Sequence, residues 1–202
     1  MSRAALPEGI ELRALQGAEL DATLDAVAGL RIAVFRDWPY LYDGTLDYER
    51  DYLQTYRESP QALLVGAFDG GRLIGASTST PMEDHAADFA APLAGLGLPL
   101  DRILYGAESV LLPAYRGLGL GHRFFDLRED HARALGRSHV AFCSVQRPED
   151  HPQRPSQHRG NEAFWQGRGY APLAGAVAEF AWRDVGEANE SRKPLQFWMR
   201  AL

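Results

Sequence analysis

The segment 108–122 constrains the fold of this chain more than any other part of the sequence. An apolar run that ends at Leu112 leads into a turn in which glycine alternates with other residues, and an amphipathic stretch follows. Glycine removes the Cβ atoms that would keep a ligand away from the backbone. This order predicts a strand, a turn and a helix of an α/β protein, with the turn amides and the helix N-terminus directed at one phosphate or pyrophosphate.

Three kinds of phosphate-binding loop compete for this segment. A Walker A loop is excluded because no Gly-Lys-Ser/Thr sequence follows the glycines. A dinucleotide-binding fingerprint needs a third glycine where His122 stands, and it needs an acid about 20 residues further on, whereas residues 138–146 contain no acid. The third interpretation is a loop for the pyrophosphate of coenzyme A. A nucleotide-binding protein that uses the loop for another phosphate stays open as an alternative.

Hydrophobic periodicity and turn signals predict strands before, between and after helices, which together give a mixed α/β sheet. The predicted strands are 10–15, 62–68, 72–80, 103–112, 140–145, 177–182 and 195–202. The predicted helices are 18–36, 47–58 with Asp47 as the cap, 119–135 and 161–168. Segment 84–98 is expected to be an irregular or helical insertion, and the proline-rich segment 147–160 is expected to be a loop.

The composition is that of one globular domain over residues 1–202, with 46% apolar and 24% charged residues. The net charge of -6 argues against non-specific nucleic-acid binding and against a polybasic membrane surface. No apolar run approaches the roughly 18 residues of a membrane span, and the N-terminus lacks the apolar core of a signal peptide. Because Cys143 is the only cysteine, we expect a cytoplasmic protein. The net charge and the lack of an apolar span predict that it contacts neither nucleic acid nor membrane.

Two motifs taken together resemble the GCN5-related N-acetyltransferase (GNAT) superfamily. An Arg-x-x-Gly-x-Gly sequence that begins at Arg116, after a strand ending Leu-Leu-Pro, is similar to the acyl-CoA motif of that family. Segment 164–170, Phe-Trp-Gln-Gly-Arg-Gly-Tyr, resembles its second motif, an aromatic-rich helix that runs into Gly-Tyr. The resemblance covers roughly residues 60–182 and implies a mixed, mostly antiparallel sheet flanked by helices. It also implies acetyl-CoA as the cosubstrate and no metal.

The resemblance further implies that acyl-CoA lies in a V-shaped gap between the fourth and fifth strands. A primary amine then attacks the thioester directly, and the backbone near Leu111 binds the acyl carbonyl. Glu108, on the strand beside the gap, is the expected general base. A structural alternative is that Glu108 pairs with a nearby arginine. The residues expected to contact the cofactor are Leu111, Leu112, Arg116, Gly117, Leu118, Gly119, Leu120, Gly121 and His122.

The second motif departs from the family at the position of its proton donor. The tyrosine that protonates the leaving thiolate is replaced here by Trp165, and the asparagine that commonly precedes it is replaced by His158. An indole cannot act as that acid. Tyr105 is the candidate donor in its place, with core packing as its structural alternative. Without such a donor, the thiolate leaves unprotonated or takes a proton from water. Because Trp165 removes one expected catalytic group, a non-catalytic CoA-binding or regulatory protein of the same fold is the alternative function.

The acceptor site is expected in the aromatic segment 37–43, which follows the first helix. Asp37, Trp38, Tyr40 and Tyr42 are the candidate substrate-binding residues, because acids and aromatic faces bind a cationic amine. A plain surface loop fits this segment equally well. The acceptor is expected to be a small molecule or a peptide.

Three further features give weaker predictions. Cys143 is expected to be a buried core thiol, and the two histidines of the proline-rich loop are too few for a metal site. The apolar strands at the C-terminus predict a homodimer paired through an end strand.

Overall fold

The computed structural model describes residues 6–202, which form seven strands and five helices. The strands are β1 Ile10–Leu15, β2 Leu63–Asp69, β3 Arg72–Pro81, β4 Ile103–Leu111, β5 His139–Val145, β6 Ala171–Arg183 and β7 Glu190–Ala201. The helices are α1 Ala18–Phe35, α2 Leu46–Glu58, α3 Ala86–Leu93, α4 Leu120–Ala134 and α5 Glu162–Gly167. Short 3₁₀ turns lie at Met82–His85, Ala94–Leu96, Leu100–Arg102 and Pro113–Tyr115.

All seven strands lie in one sheet in the order β1-β2-β3-β4-β5-β7-β6. Every neighbouring pair is antiparallel except β4 and β5, which are parallel and are connected through α4. The parallel pairing covers only Ile103–Tyr105 of β4 against His139–Ala141 of β5. Beyond Tyr105 and Ala141 the two strands diverge, and the opening between them is called the fork below.

A β-bulge lies in β4 at the base of the fork. Thr78 of β3 faces Glu108, whereas Thr80 faces Tyr105, so β4 uses one residue more than β3 over this interval. The extra residue bends the strand and changes the face to which the following side chains point, as bulges beside active sites commonly do. The bulge therefore positions Glu108 at the edge of the fork.

Helices cover both faces of the sheet. On one face, α1 and α2 bury leucines, Val27 and Tyr56 against β2 and β3. On the other face, α4 buries Leu120, Phe124 and Phe125, whose helical spacing matches the apolar stripe expected of a helix packed on a sheet. The two aromatic residues of α4 thus fix the direction in which its N-terminus points.

The structure confirms the mixed, mostly antiparallel α/β sheet with its flanking helices. The prediction of Asp47 as the helix cap was wrong, because Thr45 is the cap and its side chain accepts a hydrogen bond from the Tyr48 amide. Strands β6 and β7 extend beyond the predicted ends, because the polar residues between them continue the antiparallel ladder. No helix within residues 6–202 is long and apolar enough to cross a membrane. The homodimer stays a prediction, since a single chain does not test it.

Candidate active site

The glycine turn adopts a conformation that glycine alone reaches without strain. Gly117 has φ +79° and Gly119 has φ +81°, both in the left-handed region. Gly119 is also the N-cap of α4, and a Cβ at either glycine would meet open space. The first amides of a helix have no partners within the helix. The turn therefore presents unpaired amides and the positive end of the α4 dipole to an anion that approaches closely.

The other predicted cofactor residues surround this turn. Leu111 and Leu112 are half-buried at the end of β4, Leu120 is buried, and Leu118 is exposed. Arg116 is exposed, and its Nε donates to the Leu111 carbonyl at 3.3 Å. His122 is exposed and packs edge-on against Phe164, with ring centroids 4.8 Å apart. The nine residues thus lie together around the turn between β4 and α4, with Leu120 in the core beneath it, and their contact with a cofactor stays a prediction.

Arg116 is expected to contribute less to CoA binding than the backbone amides do. Its guanidinium is exposed to solvent, which screens its attraction for a phosphate. We expect Arg116→Ala to raise the Kd for CoA about fivefold, or about 1 kcal/mol. Calorimetric titration measures this, with Arg192→Ala as the control because Arg192 is exposed on β7 at the far side of the sheet. A loss of binding in the range of a thousandfold would instead make Arg116 the main anchor.

The fork opens into a cavity of about 250 Å³, called the fork cavity below. Its walls are residues 106–109 of β4, residues 142–145 of β5 and residues of α4 and α5, and Phe35, Pro39, Tyr40 and His158 also line it. Trp165 lines it and packs against Phe142 and Trp198 at centroid distances of 5.0 and 5.1 Å. At the position of the family's tyrosine the fork cavity therefore has an aromatic wall that supplies no acidic proton.

Glu108 is buried and held by a cationic side chain. Its Oε2 lies 2.6 Å from Nη1 of Arg31 on α1 and accepts a hydrogen bond from Tyr52 at 3.4 Å. Arg31 also pairs with the buried Glu49 of α2. Burial lowers the pKa of Arg31, but the charge of Glu108 and the other neighbours outweighs it and raises that pKa well above its ordinary value. The cluster therefore joins two carboxylates to one permanent cation.

One carboxylate oxygen of Glu108 takes no part in these contacts. Oε1 of Glu108 is buried and has no hydrogen-bond partner among the residues that the structure describes. Glu108 lines the fork cavity and also a second, smaller cavity on the α1 side of the sheet. A buried carboxylate oxygen without a donor carries an unfavourable desolvation energy, which a ligand donor in either cavity would relieve.

The second cavity, called the aromatic cavity below, has a volume of about 120 Å³ and is open to solvent. Its apolar walls are mostly aromatic: Phe35, Tyr40, Tyr42, Tyr48, Tyr52, Phe89, Tyr105, Phe180 and Trp182. Its ionisable groups are Glu108, the exposed Asp88, Arg31 and His85. Burial lowers the pKa of His85, which bonds Thr80 Oγ1 at 2.9 Å, so this imidazole is neutral at pH 7. The aromatic cavity is therefore apolar with a net negative charge.

Of the four predicted acceptor residues, two line the aromatic cavity and two lie outside it. Tyr40 and Tyr42 line the aromatic cavity, whereas Asp37 and Trp38 are not among its lining residues. Asp37 is exposed, and Trp38 packs against His151 and His158 of the proline-rich loop at centroid distances of 5.1 and 5.9 Å. Segment 37–43 therefore contributes Tyr40 and Tyr42 to the aromatic cavity, whereas Trp38 contacts the proline-rich loop and Asp37 lies at the surface.

Tyr105 lies in the aromatic cavity, with its hydroxyl 3.4 Å from Sγ of Cys143. Burial raises the pKa of this phenol well above its ordinary value and raises the pKa of the Cys143 thiol to about 11. Both groups therefore keep their protons at neutral pH. Whether Tyr105 donates a proton stays a prediction, and the geometry gives its hydroxyl a sulfur partner inside the core.

Sequence reasoning missed three residues of the site: Arg31, Tyr52 and Arg128. Arg31 falls on the apolar stripe of α1 with Leu24 and Val27, and both of those are buried. Arg128 is likewise buried on α4 among apolar residues. An arginine on an apolar stripe is the signal that could have identified both, because a buried guanidinium needs an anionic partner.

Comparison with known proteins gives the family and the fold. The acetyltransferase (GNAT) family model matches residues 30–155, more than half of the chain. The search of curated proteins found no match to this chain. A ribosomal-protein-alanine N-acetyltransferase from Brucella melitensis superimposes with a TM-score of 0.60 at 12% identity, over 95% of this chain and 99% of that one.

Two further solved structures share the fold. A GCN5-related N-acetyltransferase from Kribbella flavida has a TM-score of 0.57 at 18% identity, over 97% and 99% of the two chains. An N-acetyltransferase from Thermoplasma acidophilum in complex with coenzyme A has a TM-score of 0.52 at 12% identity, over 96% and 99%. The forked sheet, the glycine turn and the family match lead to one conclusion: this chain belongs to the acetyltransferase (GNAT) family.

Proposed function

We propose that this protein transfers an acetyl group from acetyl-CoA to a primary amine carried on an apolar or aromatic body. The observation that carries the proposal is that Glu108 lines two adjoining cavities of different character. The fork cavity reaches Gly121 beside the glycine turn, and the aromatic cavity adjoins it through shared lining residues such as Tyr40, Glu108 and Cys143. An acyl donor and an amine acceptor that occupy these cavities meet at one carboxylate.

The residues of the first cavity suit coenzyme A. The amides of the turn around Gly119 and the α4 dipole suit its pyrophosphate, and the fork leaves unpaired β4 and β5 backbone for an amide-containing chain. The Thermoplasma acidophilum neighbour, whose structure contains coenzyme A, supports this assignment through its shared fold. The thioester supplies an electrophilic carbonyl carbon.

The aromatic cavity suits an ammonium group attached to an apolar body. Aromatic faces attract a cation, and the carboxylates of Glu108 and Asp88 add negative charge. The volume of about 120 Å³ is close to that of an engineered cavity of about 150 Å³ that binds benzene. One ring therefore fits within the walls. A carboxylate on the acceptor is disfavoured, because the cation in the cavity, Arg31, already pairs with Glu49 and Glu108.

The chemistry requires one proton transfer before attack. The acceptor arrives as an ammonium ion and cannot attack until its nitrogen loses a proton. Oε1 of Glu108, which has no other partner, accepts that proton directly or through water. The neutral nitrogen then forms a bond to the acyl carbon, and the electron pair of the breaking C–S bond goes to the sulfur. The nitrogen is positively charged once this bond has formed, and it releases its second proton to water to give the neutral amide.

A thiol-release assay with a panel of amines tests the proposal. We expect phenylethylamine to be acetylated with a kcat/KM at least about 100-fold above that of phenylalanine, because the carboxylate of phenylalanine enters a cavity of like charge. Spermidine serves as a cationic amine without a ring. Acetylation of spermidine or peptides alone would contradict the acceptor assignment and leave the transferase activity in place.

The thiol-release assay and a binding competition between CoA and ATP separate the two alternative functions. CoA binding without thiol release for any amine would favour a non-catalytic CoA-binding protein. Displacement of bound CoA by ATP at comparable concentration would favour a nucleotide-binding protein that uses the glycine turn for a different phosphate.

A further inference from the structure

Arg128 is a buried cation for which the structure shows no anionic partner. It lies on α4 with 2% of its surface exposed, and it lines the fork cavity. Its Nη2 donates to Ser109 Oγ at 2.5 Å, and its Nε has no acceptor. Among residues 6–202 no carboxylate lies within ion-pairing distance of it. By contrast, the buried Arg31 and Arg137 each contact a carboxylate within that distance.

An unpaired guanidinium in this position destabilises the free protein, because burial removes its hydration without supplying a counter-charge. Burial accordingly lowers the pKa of Arg128, and the nearby Tyr170, Glu129 and Glu108 oppose this only in part. Glu129 is engaged elsewhere, by Arg168 and Arg200. A negative group that enters the fork cavity would offset the unfavourable free energy of burying the Arg128 guanidinium.

The backbone is shaped to accept this side chain. Gly106 lies in the β-bulge, directly after Tyr105, which is the last residue of β4 that pairs with β5. A Cβ built on Gly106 would lie 1.8 Å from Nη1 of Arg128, so any other residue would displace the guanidinium. Arg128 is seven residues beyond Gly121, which at a rise of about 1.5 Å per residue is about 10 Å along α4. The charge therefore lies at the base of the fork, well separated from the phosphate-binding turn.

We propose that Arg128 binds the sulfur of coenzyme A as its thiolate and so stabilises the leaving group of the transfer reaction. The proposal rests on the proposed function. When the amine nitrogen bonds to the acyl carbon, the C–S electron pair passes to the sulfur, and the guanidinium compensates the negative charge that appears there. The first amine proton leaves through Glu108 and the second passes to water after the nitrogen has bonded to carbon, and the thiolate takes its proton from solvent after release. This reaction needs no proton from Trp165, which lines the same cavity.

The other charged groups around the fork cavity do not replace Arg128. Glu108 lines it and would repel a thiolate, but its Oε2 is paired with Arg31. His158 and Glu162 lie on the wall formed by the loop and α5. Cys143 keeps its proton at neutral pH, because burial raises its pKa to about 11.

The wild-type protein itself supplies the first test, with CoA and desulfo-CoA compared by calorimetry from pH 6 to pH 9.5. A cation in contact lowers the pKa of an ionisable group by about 1 to 3 units. We therefore expect CoA to bind about 10- to 1000-fold more tightly at high pH than at low pH, relative to desulfo-CoA, and the ultraviolet absorbance of bound thiolate to rise at lower pH than in free CoA. An equal pH dependence of the two ligands would overturn the proposal.

Arg128→Met tests the residue, since methionine fills similar space without charge. We expect it to abolish the difference in pH dependence between CoA and desulfo-CoA, whereas Arg128→Lys retains part of it. Arg133→Met is the matched control, because Arg133 lies on the same helix but is exposed and pairs with Asp130. Should Arg128→Met fail to fold, the wild-type comparison and the lysine variant decide the matter.

The remaining outcomes are distinguishable from a failure of the proposed function. If the wild-type chain binds neither CoA nor desulfo-CoA, the proposed function fails and this inference fails with it. If CoA binds without a thiol-dependent pH effect, only the role of Arg128 is wrong. Tighter binding of succinyl-CoA than of acetyl-CoA in that case, lost in Arg128→Met, would assign the cation to an acyl carboxylate.

Discussion

Replacing Gly119 by valine is expected to abolish binding of coenzyme A while the fold persists. Gly119 has φ +81° at the N-cap of α4, and a side chain there would project into the space from which the pyrophosphate approaches the amides. Because the proposed contacts of the anion are with backbone atoms, no side-chain rearrangement elsewhere is expected to restore the lost approach. We expect no saturable binding in a calorimetric titration that readily measures the wild-type Kd.

The strain of a β-branched residue at positive φ also lowers stability, so the variant needs a control that carries the same strain. Gly136 has φ +70° at the opposite end of α4, and a Cβ there also meets open space. Each valine is expected to destabilise the protein by about 1 to 2 kcal/mol. Gly136→Val should nevertheless bind CoA as the wild type does. A folded Gly119→Val protein with wild-type affinity would show that CoA does not bind at this turn.

The parts of the structure that the sequence predicts are those that depend on neighbours in the chain. The hairpin of β2 and β3 follows from two apolar runs around Asp69-Gly70-Gly71. The turn before α4 follows from its glycines, whose positive φ angles need no distant partner. Local periodicity therefore determines most strands, most helices and the phosphate-binding turn.

The parts that the sequence did not predict depend on residues far apart in the chain. The cluster of Arg31, Glu49 and Glu108 joins α1, α2 and β4, so no local pattern links its members. The same holds for Trp38, whose partners His151 and His158 lie in a distant loop. Which face of the sheet a residue of β4 points to depends on the bulge, and that bulge is visible only in the pairing register.

Replacing Glu108 by glutamine is expected to lower kcat/KM by about 10² to 10⁴, the usual contribution of one positioned proton-transfer group. Glutamine retains the shape and the hydrogen bonding to Tyr52 but does not accept the ammonium proton. The affinity for CoA should change little, because Glu108 lies beside the fork, away from the glycine turn that we propose binds the phosphates. Steady-state kinetics on a confirmed acceptor measure the first effect, and calorimetry measures the second.

Glu49→Gln is the matched control for the structural part of this effect. Glu49 and Glu108 each contribute one carboxylate to Arg31, but Glu49 is fully buried and lines neither cavity. Both variants leave Arg31 with one carboxylate, so we expect similar falls in Tm. Only Glu108→Gln should lose the proton acceptor, and Glu49→Gln should keep kcat/KM within about tenfold of the wild type.

The pH dependence separates a lost base from a distorted site. An alkyl amine with a pKa near that of lysine, about 10.4, is almost entirely protonated at pH 7. Raising the pH increases the share of acceptor that needs no base, so the deficit of Glu108→Gln relative to the wild type should shrink as the pH rises. A distorted site would keep a constant deficit at every pH. Wild-type turnover by Glu108→Gln would remove Glu108 from the mechanism and leave water, or Asp88 at the rim of the aromatic cavity, to accept the proton.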